Sequence, residues 1–125
     1  LSELRGVIVS HAAVAEALVG AVRAITGVEG ALVPVSNEGC DQHALRERLE
    51  RATQGAPAVL FVDLPGGSCL TSSLRFARGK ADLAVVTGVN LAMLLDFVFH
   101  RDVTPATAAQ RAAEAGAKAI KVGGA

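Results

Sequence analysis

Gly6-Val7-Ile8-Val9-Ser10-His11-Ala12-Ala13-Val14-Ala15-Glu16-Ala17-Leu18 is the stretch on which the fold turns. An apolar run ends at a single histidine, and apolar residues then resume at another period. Continuous apolar blocks of this length mark strands buried on both faces of a parallel sheet. Val14, Leu18, Ala21, Val22 and Ile25 repeat at the three-four spacing of a helix face. The stretch predicts a strand, a tight turn and a helix, with His11 at the strand's carboxyl end, where open α/β sheets bind their ligands. An imidazole there faces the unpaired amides of the next helix's first turn, which favour negative charge.

The same alternation continues along the chain. Residues 31–35 predict a second strand, and Pro34, which lacks an amide donor, puts it near an edge. After Asp41, the line Leu45, Leu49, Ala52 inside a charged surface predicts an exposed amphipathic helix. Residues 58–62 are the most β-prone block, a central strand that stops at Asp63. A loop over 64–69 and a short helix over 70–78 follow. Residues 81–87 predict the fourth strand, and Asn90 caps a helix over 91–100. Thr104 and Pro105 open a last helix as N-cap and first residue, with Gly116 as its stop. Residues 117–122 then alternate small or apolar with basic residues, the pattern of a half-buried edge strand. The expected fold class is α/β: a doubly wound, mostly parallel four-stranded sheet with helices on both faces plus a C-terminal edge strand, all in one domain, 1–125.

Composition excludes several roles. Twelve Lys and Arg balance twelve Asp and Glu, and with no Trp, no Tyr and four Phe there is neither a basic field nor a stacking platform for nucleic acid. No apolar block is long enough to cross a bilayer, so direct membrane insertion is not expected. Cys40 and Cys69 do not make a disulfide framework. With no leader visible at Leu1, a cytoplasmic location is the expectation.

His11 and Asp63 each close an apolar strand, so in a parallel sheet both project from one edge. A carboxylate on one imidazole nitrogen fixes the tautomer, leaves the other nitrogen's lone pair free as nucleophile and stabilises the cationic ring. Gly66, Gly67 and Ser68 add a loop whose amides and hydroxyl suit a phosphoryl group at a helix start. The competing patterns are weaker. Ser68 is followed by Cys69 and Leu70, which is no serine-hydrolase elbow. Cys40-x-x-His43 has no second pair to complete a metal site. An aspartate ending the third strand is also found in phosphoacceptor receiver domains, but those need acidic residues where this chain has Ser10 and His11.

Taken together, Val7-Ile8-Val9-Ser10-His11, Phe61-Val62-Asp63-Leu64-Pro65-Gly66-Gly67-Ser68 and Gly88-Val89-Asn90-Leu91-Ala92-Met93-Leu94 resemble the enzyme IIA component of the mannose family of the bacterial phosphoenolpyruvate:sugar phosphotransferase system, nearly end to end. The resemblance implies a phosphotransferase in which His11 is phosphorylated on Nε2 while Asp63 holds Nδ1 and Ser68 and nearby amides surround the phosphoryl group. It implies phosphate donation by the carrier protein HPr, transfer to an enzyme IIB for sugar uptake, and no metal or other cofactor. It also implies a homodimer in which the C-terminal strand pairs with the partner's sheet. Leu64, Pro65, Cys69 and Ala92 depart from the family pattern, which has a proline at the last two positions, and they bear on partner choice. A regulatory module, whose phosphorylated His11 is read by a signalling partner without transport, is the alternative.

Overall fold

The computed structural model describes residues 3–124. Along the chain it forms β1 (Arg5–Ser10), α1 (Val14–Thr26), β2 (Leu32–Ser36), α2 (Gln42–Thr53), β3 (Ala58–Val62), α3 (Ser68–Ala77), β4 (Leu83–Thr87), α4 (Leu91–Val98) and α5 (Pro105–Lys118). The four strands are parallel in the order β2-β1-β3-β4. This is the expected doubly wound sheet, with β1 and β3 inside and the strand of Pro34 at an edge.

Strand alternation divides the core in two. Ile8, Val59 and Phe61 face Val22, Leu94, Phe97 and Ala112 of α1, α4 and α5. Val7, Val9, Leu60 and Val62 face Leu45, Leu49, Cys69 and Phe76 of α2 and α3. All five residues of β3 are buried, which explains the unbroken apolar run: a central strand covered on both faces has no solvent side. Side-chain caps start three helices. Asp41 accepts from the Ala44 amide, Asn90 from Met93 and Thr104 from Thr107, each satisfying a donor that has no partner within the helix.

Three expectations shift. The buried face of α1 carries Ala15 and Val22, with Leu18 and Val19 partly buried, while Val14 and Ile25 are exposed. The three-four period was right, but neighbouring stripes differ by one residue and both were apolar. α3 begins at Ser68 rather than Leu70, drawing the end of the glycine loop into its first turn.

The third shift is at the carboxyl end. Gly116 does not stop the last helix, which runs on through Ala117 to Lys118. A Cβ at Gly116 would lie 2.8 Å from Met93 Cε and 3.1 Å from Met93 Cβ, and the Asn90 amide donates to the Gly116 carbonyl at 3.0 Å. The glycine lets α5 approach α4; a helix end was not its purpose. Residues 119–124 then leave the helix without strand structure, with Ile120 77% and Val122 92% exposed. In the single chain the alternation of 117–122 therefore does not make an edge strand, because a strand needs a ladder partner and none is offered there.

Gly6, in the middle of the sheet, is a second close approach. A Cβ there would come within 2.7 Å of both Leu32 Cδ2 and Phe97 Cε2 and 3.1 Å of Phe61 Cε2. Phe61 and Phe97 already meet edge to face, 5.0 Å between centroids, so neither ring has space to withdraw. Gly6→Ala is expected to destabilise by about 1–3 kcal/mol, lowering Tm by about 4–12 °C for a chain of this size. Calorimetry checks this; an unchanged Tm would mean that the core above β1 is loosely packed.

Candidate functional site

Val9 stands opposite Val62 in the β1–β3 pair, so the two strands release their next residues at the same end. The Asp63 amide extends the ladder to the Val9 carbonyl at 3.2 Å. Across the gap, the His11 amide donates to Asp63 Oδ2 at 2.8 Å, and His11 Nδ1 lies 2.8 Å from the same oxygen. One carboxylate oxygen thus holds both the backbone and the ring of His11.

The turn that presents the imidazole is braced by two serines. Ser10, fully buried, accepts from the Ala15 amide at 2.7 Å, supplying the cap that Ala13 cannot. Between them Ala12 takes a left-handed φ of 48°, an uncommon conformation for a residue with a side chain. The Ser36 hydroxyl holds it by donating to the Ala12 carbonyl at 2.8 Å.

With Nδ1 against a carboxylate, the ring proton is assigned to Nδ1 as donor and Nε2 keeps its lone pair. His11 is 42% exposed and Asp63 12%, so the free edge of the ring faces outward and the carboxylate is covered. Burial alone would raise the Asp63 carboxyl, but the His11 amide, the bond to its ring and its charge outweigh this and hold it below the usual 3.8.

Gly67 abuts the free edge of the ring. A Cβ there would lie 4.0 Å from His11 Cε1 and Nε2, and its φ of 87° is one that side chains rarely adopt. Gly67 is also the N-cap of α3 and, unlike the caps of α2, α4 and α5, has no side chain to bond the first-turn amides. Those amides and the positive end of the helix dipole are an anion-favouring surface beside Nε2. Ser68 begins α3 with its exposed hydroxyl 3.5 Å from Asn37 Nδ2. Gly66 is exposed on the same loop, and a Cβ there would meet nothing within 4 Å.

The sequence reading thus placed five residues near this edge. The structure brings His11, Asp63 and Gly67 together, sets Ser68 at the adjoining helix start and leaves Gly66 on the rim. It adds residues that spacing did not reveal: Ser10 and Ser36 as braces, Asn37 opposite Ser68, and Cys69, fully buried with Sγ 3.9 Å from His11 Nδ1. Burial, reinforced by the Asp63 charge, pushes the Cys69 thiol up to about 11. The Cys40–His43 spacing stays on the surface, where the His43 ring pairs with Glu47.

The depressed Asp63 carboxyl makes stability depend on acid. The unfolded chain takes up this proton first as pH falls, so the contribution is complete above the unfolded value and is lost as pH drops through the lower folded one. Asp63→Asn should therefore melt below the parent near neutrality and converge with it under acid. Melts between about pH 2 and 6 span the window; parallel curves for the two proteins would show that the His11 contacts do not stabilise the carboxylate.

Comparison with known proteins follows the same lines. The family described as EIIA-man, PTS system fructose IIA component, matches residues 6–114. No curated protein sequence matches the chain. The phosphotransferase system component EIIA from Streptococcus agalactiae superposes with a TM-score of 0.87 at 20% identity, over 95% of this chain and 96% of that one. The mannose/sorbose specific IIA subunit of the phosphotransferase system from Enterococcus faecalis gives 0.85 at 19% identity, over 99% and 97%. A sigma-54 interaction domain protein from Enterococcus faecalis gives 0.74 at 11% identity, over 94% and 93%. Identities this low establish a shared fold. The family match, however, spans all four strands and the loops of His11 and Asp63, and by it the chain belongs to the EIIA-man family of phosphotransferase-system components.

Proposed function

We propose that His11 is the phosphoacceptor of a phosphocarrier that receives a phosphoryl group from HPr on Nε2 and passes it to an enzyme IIB. The observation that carries this reading is the division of the imidazole: Nδ1 bound to Asp63 at 2.8 Å, Nε2 free beside the uncapped start of α3. The Nε2 lone pair attacks phosphorus as the phosphorus–nitrogen bond to the donor histidine breaks, and the electron pair returns to the donor ring. The second transfer repeats this with His11 as leaving group. The transition state is loose, so the protein's work is alignment plus stabilisation of the equatorial oxygens, for which the α3 amides and Ser68 are in reach. Asp63 stabilises the ring when phosphorylation makes it cationic.

Incubation with phosphoenolpyruvate, enzyme I and HPr should add one phosphoryl group to the parent and none to His11→Ala; labelling of that variant would overturn the assignment. A hydrogen bond to a charged group is worth about 1.5–3 kcal/mol, so Asp63→Asn should be labelled about 10- to 100-fold more slowly. Unchanged kinetics would reduce Asp63 to a structural role. The regulatory alternative shares the first transfer and parts from this reading at the second, where purified enzyme IIB should discharge the phosphoprotein.

The same reading includes a homodimer. β4 is a sheet edge with four of its five residues half-buried, and Ile120 and Val122 stand exposed beyond α5. A partner's sheet supplies the ladder that residues 117–122 lack in the single chain. Light scattering after size exclusion should find a dimer at micromolar concentration and a monomer or aggregate once residues 119–125 are removed. A monomeric full-length chain would count against strand exchange.

A further inference from the structure

We propose that His11, Asp63 and Cys69 also form a site for a thiophilic divalent cation of the zinc class. Their donor atoms all lie within 4.8 Å of one another. Imidazole nitrogen, carboxylate oxygen and sulfur are the donors that zinc takes, commonly as three protein ligands with a fourth position open.

The distances suit the ion. Bonds of about 2.0–2.3 Å to a tetrahedral zinc separate the donors by roughly 3.3–3.8 Å. Of the three donor pairs, His11 Nδ1 stands 2.8 Å from Asp63 Oδ2 and 3.9 Å from Cys69 Sγ, and Asp63 and Cys69 lie within 4.8 Å, so the first pair opens by about half an ångström while the carboxylate and the sulfur close by up to about 1 Å. Asp63 Oδ1 is buried without a hydrogen-bond partner, which leaves the carboxylate with acceptor capacity turned inward and unused. The donors are carried on rigid supports, the ends of β1 and β3 and the first turn of α3. A carboxylate and a thiolate together neutralise the ion, and among the described residues no Lys or Arg pairs with Asp63.

Coordination has a chemical consequence at the other end of the ring. Cys69 releases its thiol proton to solvent as the sulfur–metal bond forms. At His11 the metal takes the Nδ1 lone pair, so the ring proton moves to Nε2, and the lone pair there is lost. Metal-bound His11 cannot attack phosphorus. The ion and the phosphoryl group therefore exclude each other, a statement that rests on the phosphoacceptor reading, whereas the site itself does not.

Cobalt(II) serves as the spectroscopic probe and zinc as the competitor, with the chelator-treated full chain. The parent should develop a sulfur-to-cobalt charge-transfer band and intense tetrahedral visible bands that stoichiometric zinc abolishes. Cys69→Ser should lose the charge-transfer band and bind zinc more weakly by more than the roughly 10- to 100-fold that a mere supporting residue costs; Cys69→Ala replaces it if the serine variant does not fold. Cys40→Ser should retain the band. No band in the parent, its survival without Cys69, or its loss without Cys40 would overturn the site. Unimpaired phosphorylation at saturating zinc would overturn the exclusion while leaving the site. Labelling of His11→Ala would instead sink the phosphoacceptor reading and leave the cobalt result untouched.

Discussion

The pairing of β1 with β3 is the constraint from which the remainder of this molecule follows. Both strands are interior and almost wholly buried, and their register sets Val9 against Val62. A slip of one residue would turn every side chain of one strand to the wrong face and at once pull the Asp63 carboxylate from the His11 amide and ring. Register is therefore specified twice, by the two halves of the core and by a polar clasp at the carboxyl end. The His11 backbone is bound by the same oxygen as its side chain, so the imidazole is fixed relative to the sheet and has little independent freedom.

Absent side chains matter as much as present ones. Gly6 makes room for the Phe61–Phe97 contact and Gly116 for Met93 of α4, whereas at Gly67, beside the free edge of His11, the φ of 87° rather than lack of space calls for glycine. Two of these carry packing and one carries the site. At Gly67 the missing Cβ coincides with a missing cap, so the start of α3 meets the ring with its hydrogen-bond donors unspent. A side chain that capped this helix, as Asp41 caps α2, would take up those donors and fill the approach to Nε2.

Much of this could be read from the chain because the relevant signals are local. A buried central strand has to be continuously apolar, and Asn90 and Thr104-Pro105 announce helix starts by their own chemistry. His11 and Asp63 were legible as a pair because each terminates such a strand, and parallel strands share an edge. Rotation of α1 was not legible, since Val14 and Ile25 are as apolar as the residues that turned inward. Gly116 was misread because a glycine that ends a helix and one that admits a neighbour look alike until the neighbour is known. Cys69 stood out in the sequence only as a departure from the family pattern: its closeness to His11 depends on where α3 docks, which residues 64–70 alone do not encode.

Pro34 has a wider consequence. The Gly6 amide donates to Ala31 and the Asn37 amide to Ser10, so the intervening backbone donors of Leu32, Pro34 and Ser36 point away from the sheet. The middle one does not exist, and the Ser36 carbonyl is already held by Arg48 at 2.6 Å. That border of the sheet cannot template another strand, which leaves β4 as the one border open to growth. A sheet sealed along one side is a directional one: any strand added to it, from this chain or another, has to join along β4.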